Sequence, residues 1–104
     1  TTDIILNYIN ETILEIYIYD RDNNTSLLET LYQYLLNNKS LNETSRILFV
    51  HKNTVTYRLE RVKDLFDIDF NNVENNLSFM YSASIIKYLD SIKYKALSEL
   101  KIFS

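Results

Sequence analysis

The sequence predicts an all-α domain of five helices, on three observations. First, its 104 residues include no glycine and no proline. Tight hairpins need residues that accept positive φ, whereas helix interiors need neither residue. Second, apolar residues make up 46% of the chain, enough for a core, and they recur at steps of three and four rather than two. Third, asparagine-rich patches at Asn23 and Asn24, Asn37 and Asn38, Asn71 and Asn72, and Asn75 and Asn76 punctuate the periodic runs. After glycine, asparagine is the residue that best tolerates the left-handed turn conformation.

The first helix is expected over about residues 3–17, with Ile5, Ile9, Thr12, Ile13 and Ile16 on its stripe and Glu11 and Glu15 off it. Residues 20–24 form a polar break. A second helix, about 25–37, carries Leu28, Leu31 and Leu35, flanked by Leu27 and Tyr34, and stops where Asn37 and Asn38 can cap it. Ser40-Leu41-Asn42-Glu43 has the spacing of a capping box. A short third helix therefore starts at Leu41 and ends by Phe49, with Leu41, Thr44, Ile47 and Leu48 facing inward.

Val50 then reads as an apolar plug before a fourth helix, which opens near His51 or Lys52 and runs to Phe66. Val55, Leu59, Val62 and Phe66 form its buried stripe; Asn53, Tyr57, Arg61 and Asp64 lie opposite, with Lys52, Thr54, Thr56 and Arg58 nearby. Residues 67–70 make a turn, and Asn71 is placed to cap the last helix, with Glu74 suiting its dipole. That helix is expected from about 73 to 97 or beyond, its stripe marked by Leu77, Tyr81, Ile85, Tyr88, Leu89 and Ile92. Ser82, Ala83 and Ser84 are small enough to let another helix come close.

Composition excludes several functional classes. A chain this short supports one small core rather than a deep cleft between domains. With no cysteine there are no disulfides or thiolate metal sites, which fits a reducing cytoplasm. No run approaches the eighteen apolar residues of a membrane span. His51 is the only histidine and cannot hold a metal alone. The sequence offers no nucleophile–base pair and no glycine loop for phosphate, so neither an enzyme nor a cofactor binder is expected. The first residue is Thr1 rather than methionine, which reads as a piece excised from a longer protein.

The charge is uneven. Net charge is −3, yet residues 39–63 carry six basic and two acidic side chains, a net +4, against five basic and twelve acidic elsewhere, a net −7. A local cationic footprint on an acidic body is what phosphate binding requires. It coincides with a two-turn helix, a short apolar turn and a longer helix rich in Lys, Arg, Asn and Thr. Together these make a helix-turn-helix at about 40–66. In that arrangement the second helix lies in the DNA major groove and its first residues reach base edges. Asn53 suits adenine, Lys52 guanine, and Thr54 and Thr56 a phosphate or a thymine methyl, while Arg58, Arg61 and Tyr57 reach phosphates. The residues also have structural uses. Thr54 can cap the helix, Tyr57 can pack on a neighbour, Arg58 can bridge to acidic neighbours on the protein, and His51 can be either a helix-opening residue or a phosphate contact.

The runs Leu27-Leu28-Glu29-Thr30-Leu31 with Tyr34-Leu35, and Leu48-Phe49-Val50-His51-Lys52-Asn53-Thr54-Val55-Thr56-Tyr57-Arg58-Leu59, closely resemble the C-terminal domain of PucR/CdaR-type bacterial regulators. The resemblance spans about residues 8–90 and includes a leading helix at 11–20. It implies a transcription regulator that binds double-stranded DNA and answers a metabolite effector through an upstream domain absent from this chain. The opening of the fourth helix is also similar to Fis-type domains, which implies that His51, Lys52, Thr54, Thr56 and Tyr57 face DNA. The chain departs from the family pattern where Lys52 replaces the usual arginine, losing its bidentate fork, and where Thr56 replaces a frequent arginine. It also departs at Ser45, where alanine is common, and at Val73, where proline often stands. Such domains commonly pair on half-sites about 34 Å apart, so a homodimer is expected, with the first and last helices as candidate interfaces. The rival expectation is a protein-interaction or dimerisation module that has lost DNA binding.

Overall fold

The computed structural model describes residues 9–102, with side chains through Lys93. Five helices occupy the described residues: α1 (Glu11–Asn23), α2 (Leu27–Leu36), α3 (Leu41–Leu48), α4 (Lys52–Phe66) and α5 (Val73–Ile102). The all-α class is as the sequence predicts.

The expected beginning of the first helix, with Ile5 on its stripe, lies outside the described residues. Asn10 sits in a non-helical conformation, so α1 starts only at Glu11. The Asn10 side-chain oxygen accepts from the Thr12 amide at 2.9 Å and the Ile13 amide at 3.4 Å, satisfying two of the donors a helix start leaves free. Its own amide donates to Ser82 Oγ on α5 at 2.9 Å, so Ser82 serves the close approach that its size predicts. The expected break at 20–24 shrinks to Asn24, which takes the left-handed conformation at φ 53°. Residues 20–23 complete the helix: Arg21, Asp22 and Asn23 are exposed, and Asp20 turns toward the start of the next helix.

Asp20 explains why α2 begins at Leu27 rather than near residue 25. Its carboxylate accepts from the amides of Leu27 and Leu28, both at 2.9 Å, so a residue of α1 caps α2, while Ser26 makes no side-chain cap. At the start of α3, Ser40 Oγ accepts from the Glu43 amide at 3.1 Å, but Glu43 pairs with Arg46 instead of reaching back. Only half of the predicted capping box is made. Likewise Asn72, not Asn71, caps α5, accepting from the Asn75 amide at 2.9 Å.

Helix α2 runs through the middle, packed against α1, α3, α4 and α5. The core joins Ile9, Ile13 and Ile16 to Leu27, Leu28, Leu31 and Leu35, to Val55, Leu59 and Val62, and to Phe70, Phe79, Ala83 and Ile86. Each fully buried aliphatic side chain contributes about 1.5–3 kcal/mol relative to exposure. Two expectations fail. In α3, Thr44 is buried and Leu48 half-buried, but Leu41 and Ile47 are exposed, because a two-turn helix packed on α2 and α4 has one narrow inner edge. In α5, the face turned to the core carries Asn76, Phe79, Ser82, Ala83 and Ile86, whereas Leu77, Tyr81 and Tyr88 are 58%, 64% and 66% exposed and Ile92 is exposed as well. Of the predicted stripe, Leu77, Tyr81, Tyr88 and Ile92 form the outer face, while Ile85 and Leu89 are half-buried and Ile85 packs against the core.

Candidate nucleic-acid interface

Helix α3 closes at Phe49, which adopts φ 57°. The Phe49 amide donates to the Arg46 carbonyl at 3.3 Å and the Val50 amide to the Ser45 carbonyl at 3.1 Å. This left-handed closure satisfies the free carbonyls of the helix end. Val50 turns inward against the core, as its role of plug requires, while the Phe49 ring stands almost wholly in solvent. The chain then re-enters a helix at once. His51 is the N-cap of α4, its Nδ1 accepting from the Asn53 amide at 3.0 Å, which fixes the ring's proton on Nε2 and leaves that N–H free to donate outward.

The two faces of α4 divide cleanly. Val55, Leu59 and Val62 are buried. His51, Lys52, Asn53, Thr56 and Tyr57 are exposed, and Thr54, Arg58 and Arg61 are half-buried. The Thr54 amide donates to the His51 carbonyl at 2.9 Å. Tyr57 is 64% exposed. Among the described residues Arg58 pairs with no carboxylate; one of its terminal nitrogens donates to Thr30 Oγ1 on α2 at 3.2 Å. An Arg61 nitrogen donates to the Tyr19 hydroxyl on α1 at 2.9 Å, a bond that pushes the arginine's pKa above its usual value and holds it charged.

The cationic segment is narrower than its net +4 suggests. Lys39 donates to the Phe70 carbonyl at 2.7 Å, Arg46 pairs with Glu43, and Lys63 lies 3.9 Å from Glu60 and over the Phe70 ring. Among the described residues, the cations of that segment without a carboxylate partner are Lys39, whose ammonium is taken up by the Phe70 carbonyl, and Lys52, Arg58 and Arg61. The last three lie on α4.

A two-turn helix, a three-residue turn opened by the left-handed Phe49 and a fifteen-residue helix with a solvent-facing cationic edge form a helix-turn-helix. The PucR C-terminal helix-turn-helix domain family matches residues 27–82. The chain belongs to that family. Within it, the chain is a DNA-binding output domain of the kind found in transcriptional regulators. It is 30% identical over 81 residues to the DNA-binding transcriptional activator AdeR of Bacillus subtilis, covering 78% of this chain and 19% of that protein. It is 29% identical over 82 residues to the proline-responsive transcriptional activator PutR of the same species, covering 79% of this chain and 20% of that protein. It is 39% identical over 56 residues to the carbohydrate diacid regulator of Escherichia coli, covering 54% and 14%. The chain thus spans about a fifth or less of the length of these relatives. No solved structure matches it. Among the described residues, no helix is long and apolar enough to cross a membrane.

Sequence reasoning missed Tyr19 and Thr30, which hold the two arginines from 42 and 28 residues away. No spacing rule links such distant positions. Thr30 carried a weak signal, as a hydroxyl within an otherwise leucine-rich face.

Proposed function

We propose that α4 enters the major groove of double-stranded DNA and reads sequence from its N-terminal turn. In this reading Asn53 and Lys52 meet base edges, Thr54 and Thr56 meet a thymine methyl or a phosphate, and His51 donates from Nε2 to the backbone. Tyr57, Arg58 and Arg61 contact phosphates on the flank. The observation that carries the reading is the division of α4: its buried edge is wholly apolar, and its outer edge holds Lys52, Arg58 and Arg61, three cations without a carboxylate partner among the described residues, beside Asn53. A helix N-terminus also presents free amides and a positive dipole end to phosphate oxygens. The domain-level relatives, named as transcriptional regulators, do not favour the rival reading of a module without DNA binding, and they favour a regulator over an enzyme.

The whole chain serves as one such domain in a longer cytoplasmic regulator, whose upstream part answers a metabolite. Two copies act together, because one module makes few base contacts. The outer face of α5 supports pairing with a second copy. Leu77, Tyr81, Tyr88 and Ile92 read alike in both directions about Ser84 and Ile85, and a two-fold contact needs such self-complementarity. Selection of bound sites from a random DNA pool tests the proposal. An enriched motif with two inverted half-sites is expected, and a pool no different from its input overturns it.

A further inference from the structure

Beside α4 lies an open groove of 550 Å³, lined by Tyr19, Asn23, Asn24, Thr25, Ser26 and Leu27 from the α1–α2 corner and by Thr54, Tyr57, Arg58 and Arg61 from α4. The lining contains two arginines and no carboxylate. The contrast with the neighbouring groove is sharp: that one is lined by Asp20, Glu29 and Asp90 with Arg21 and Lys87, and its charges compensate one another, Lys87 lying 3.1 Å from Glu29. In the groove beside α4, each arginine is held by one hydroxyl and makes no other side-chain hydrogen bond among the described residues.

The two hydroxyls are themselves fixed. Thr30 is fully buried, and its own proton goes to the Ser26 carbonyl at 2.8 Å, so its oxygen can serve only as the acceptor for Arg58. The Tyr19 ring meets the Phe66 edge at a centroid distance of 5.8 Å, which aims its hydroxyl at Arg61. Of the two acidic residues adjoining the corner's lining on α1, Asp20 has its carboxylate committed to the α2 amides and Asp22 pairs with Arg21 at 3.4 Å. Thr54 and Tyr57 belong both to this groove and to the outer edge of α4, so the groove is continuous with the proposed reading surface.

We infer that this groove binds phosphodiester groups of the DNA strand flanking the bases read by α4, with Arg58 and Arg61 as its cationic wall, Tyr19 and Thr30 as their positioning residues, and Asn24 at the α1–α2 corner as part of the footprint. The inference rests on the DNA-binding reading and extends it to a corner outside the helix-turn-helix. Arginine bound at one nitrogen is pre-organised and still presents a bidentate edge to phosphate. Because phosphate contacts carry no sequence information, the groove strengthens binding to every duplex alike.

The test measures affinity for a selected site and for random duplex across a salt series, using the full chain and the variants Tyr19→Phe, Asn24→Asp and Asn24→Lys, with thermal unfolding beside it. Tyr19→Phe is expected to weaken both duplexes by about three- to tenfold and to flatten the salt slope by about 1, with the unfolding temperature little changed. A merely structural role would not move that slope. Asn24→Asp is expected to weaken and Asn24→Lys to strengthen binding on both duplexes. If Tyr19→Phe and both Asn24 variants bind as the unsubstituted chain does, the groove does not lie on DNA and the inference is overturned. If inorganic phosphate shifts the Tyr19 and Arg61 NMR signals while the variants leave DNA affinity intact, the groove serves a small phosphorylated ligand, which also overturns it. Failure of the unsubstituted chain to bind any duplex would instead strike the DNA-binding reading itself.

Discussion

Helices α4 and α5 both carry an apolar stripe at helical spacing, yet only one stripe lies in the core. In α4 the apolar residues Val55, Leu59 and Val62 are buried and the polar edge is outside. In α5 the long apolar side chains Leu77, Tyr81 and Tyr88 are outside, and the core receives the smaller and more polar set of Asn76, Ser82 and Ala83, anchored by Phe79 and Ile86. The difference follows from what each helix meets. Helix α4 packs on the leucine face of α2 and needs bulk to fill it. Helix α5 must come close to the start of α1, where Ser82 accepts the Asn10 amide, and only small residues allow that distance. A helix apolar on both faces announces that it will be covered twice, and its periodicity does not say which face the domain itself covers.

The sharpest way to break this contrast is to truncate one leucine on each helix. Leu59→Ala removes a buried side chain and is expected to cost about 2–5 kcal/mol. Leu77→Ala, on the exposed face, is expected to stay within about 0.5 kcal/mol at protein concentrations low enough for the chain to be a monomer. Urea unfolding of the two variants checks both values, and equal losses would mean that the outer face of α5 is covered within a single copy. A second substitution tests what covers that face. Tyr88→Glu places a charge in the proposed two-fold contact and is expected to shift the chain from dimer to monomer in sedimentation equilibrium, with its helical signal intact.

On α4 the contrast is expected to appear as specificity. Asn53→Ala is expected to cost about 1–3 kcal/mol on a selected site and little on random duplex. Arg61→Ala is expected to weaken both alike, since a phosphate contact is blind to sequence. Competition binding with both duplexes separates the two. Equal losses for Asn53→Ala on both DNAs would remove it from the base-reading set.

The limits of α2–α4 were legible to within about two residues because their signals are local: Ser40 three residues before Glu43, and Val55, Leu59 and Val62 at helical steps. The candidate site on α4 was legible for the same reason, since a solvent-facing edge is read from the helix that bears it. What stayed hidden depends on contacts between distant residues. Asp20 capping α2 moved a helix start that propensity alone places earlier. The hydroxyls of Tyr19 and Thr30 turned two nominally free arginines into held ones. The cationic segment lost half of its basic side chains to partners on the protein, Lys39 to the Phe70 carbonyl across 31 residues, Lys63 to the Phe70 ring, and Arg46 to Glu43 within one helical turn. Counting charges along a sequence cannot foresee such pairings, because it ignores where each side chain's reach ends.

The smallest expected effect concerns the far end of the α1–α5 contact, where the Tyr17 hydroxyl donates to an Asp90 carboxylate oxygen at 2.7 Å. That hydrogen bond, with partial burial and the carboxylate's charge behind it, raises the tyrosine's pKa above its ordinary value. A tyrosine with a raised folded-state pKa binds its proton more tightly folded than unfolded. Its contribution to stability is therefore complete below the ordinary tyrosine range and is lost as pH climbs through the higher folded-state value. Both groups are solvent-accessible, so screening keeps the effect small. Unfolding followed between neutral and strongly alkaline pH should fall more gently for Tyr17→Phe than for the unsubstituted chain. Parallel curves would mean that α5 is held against α1 by the Asn10–Ser82 end alone.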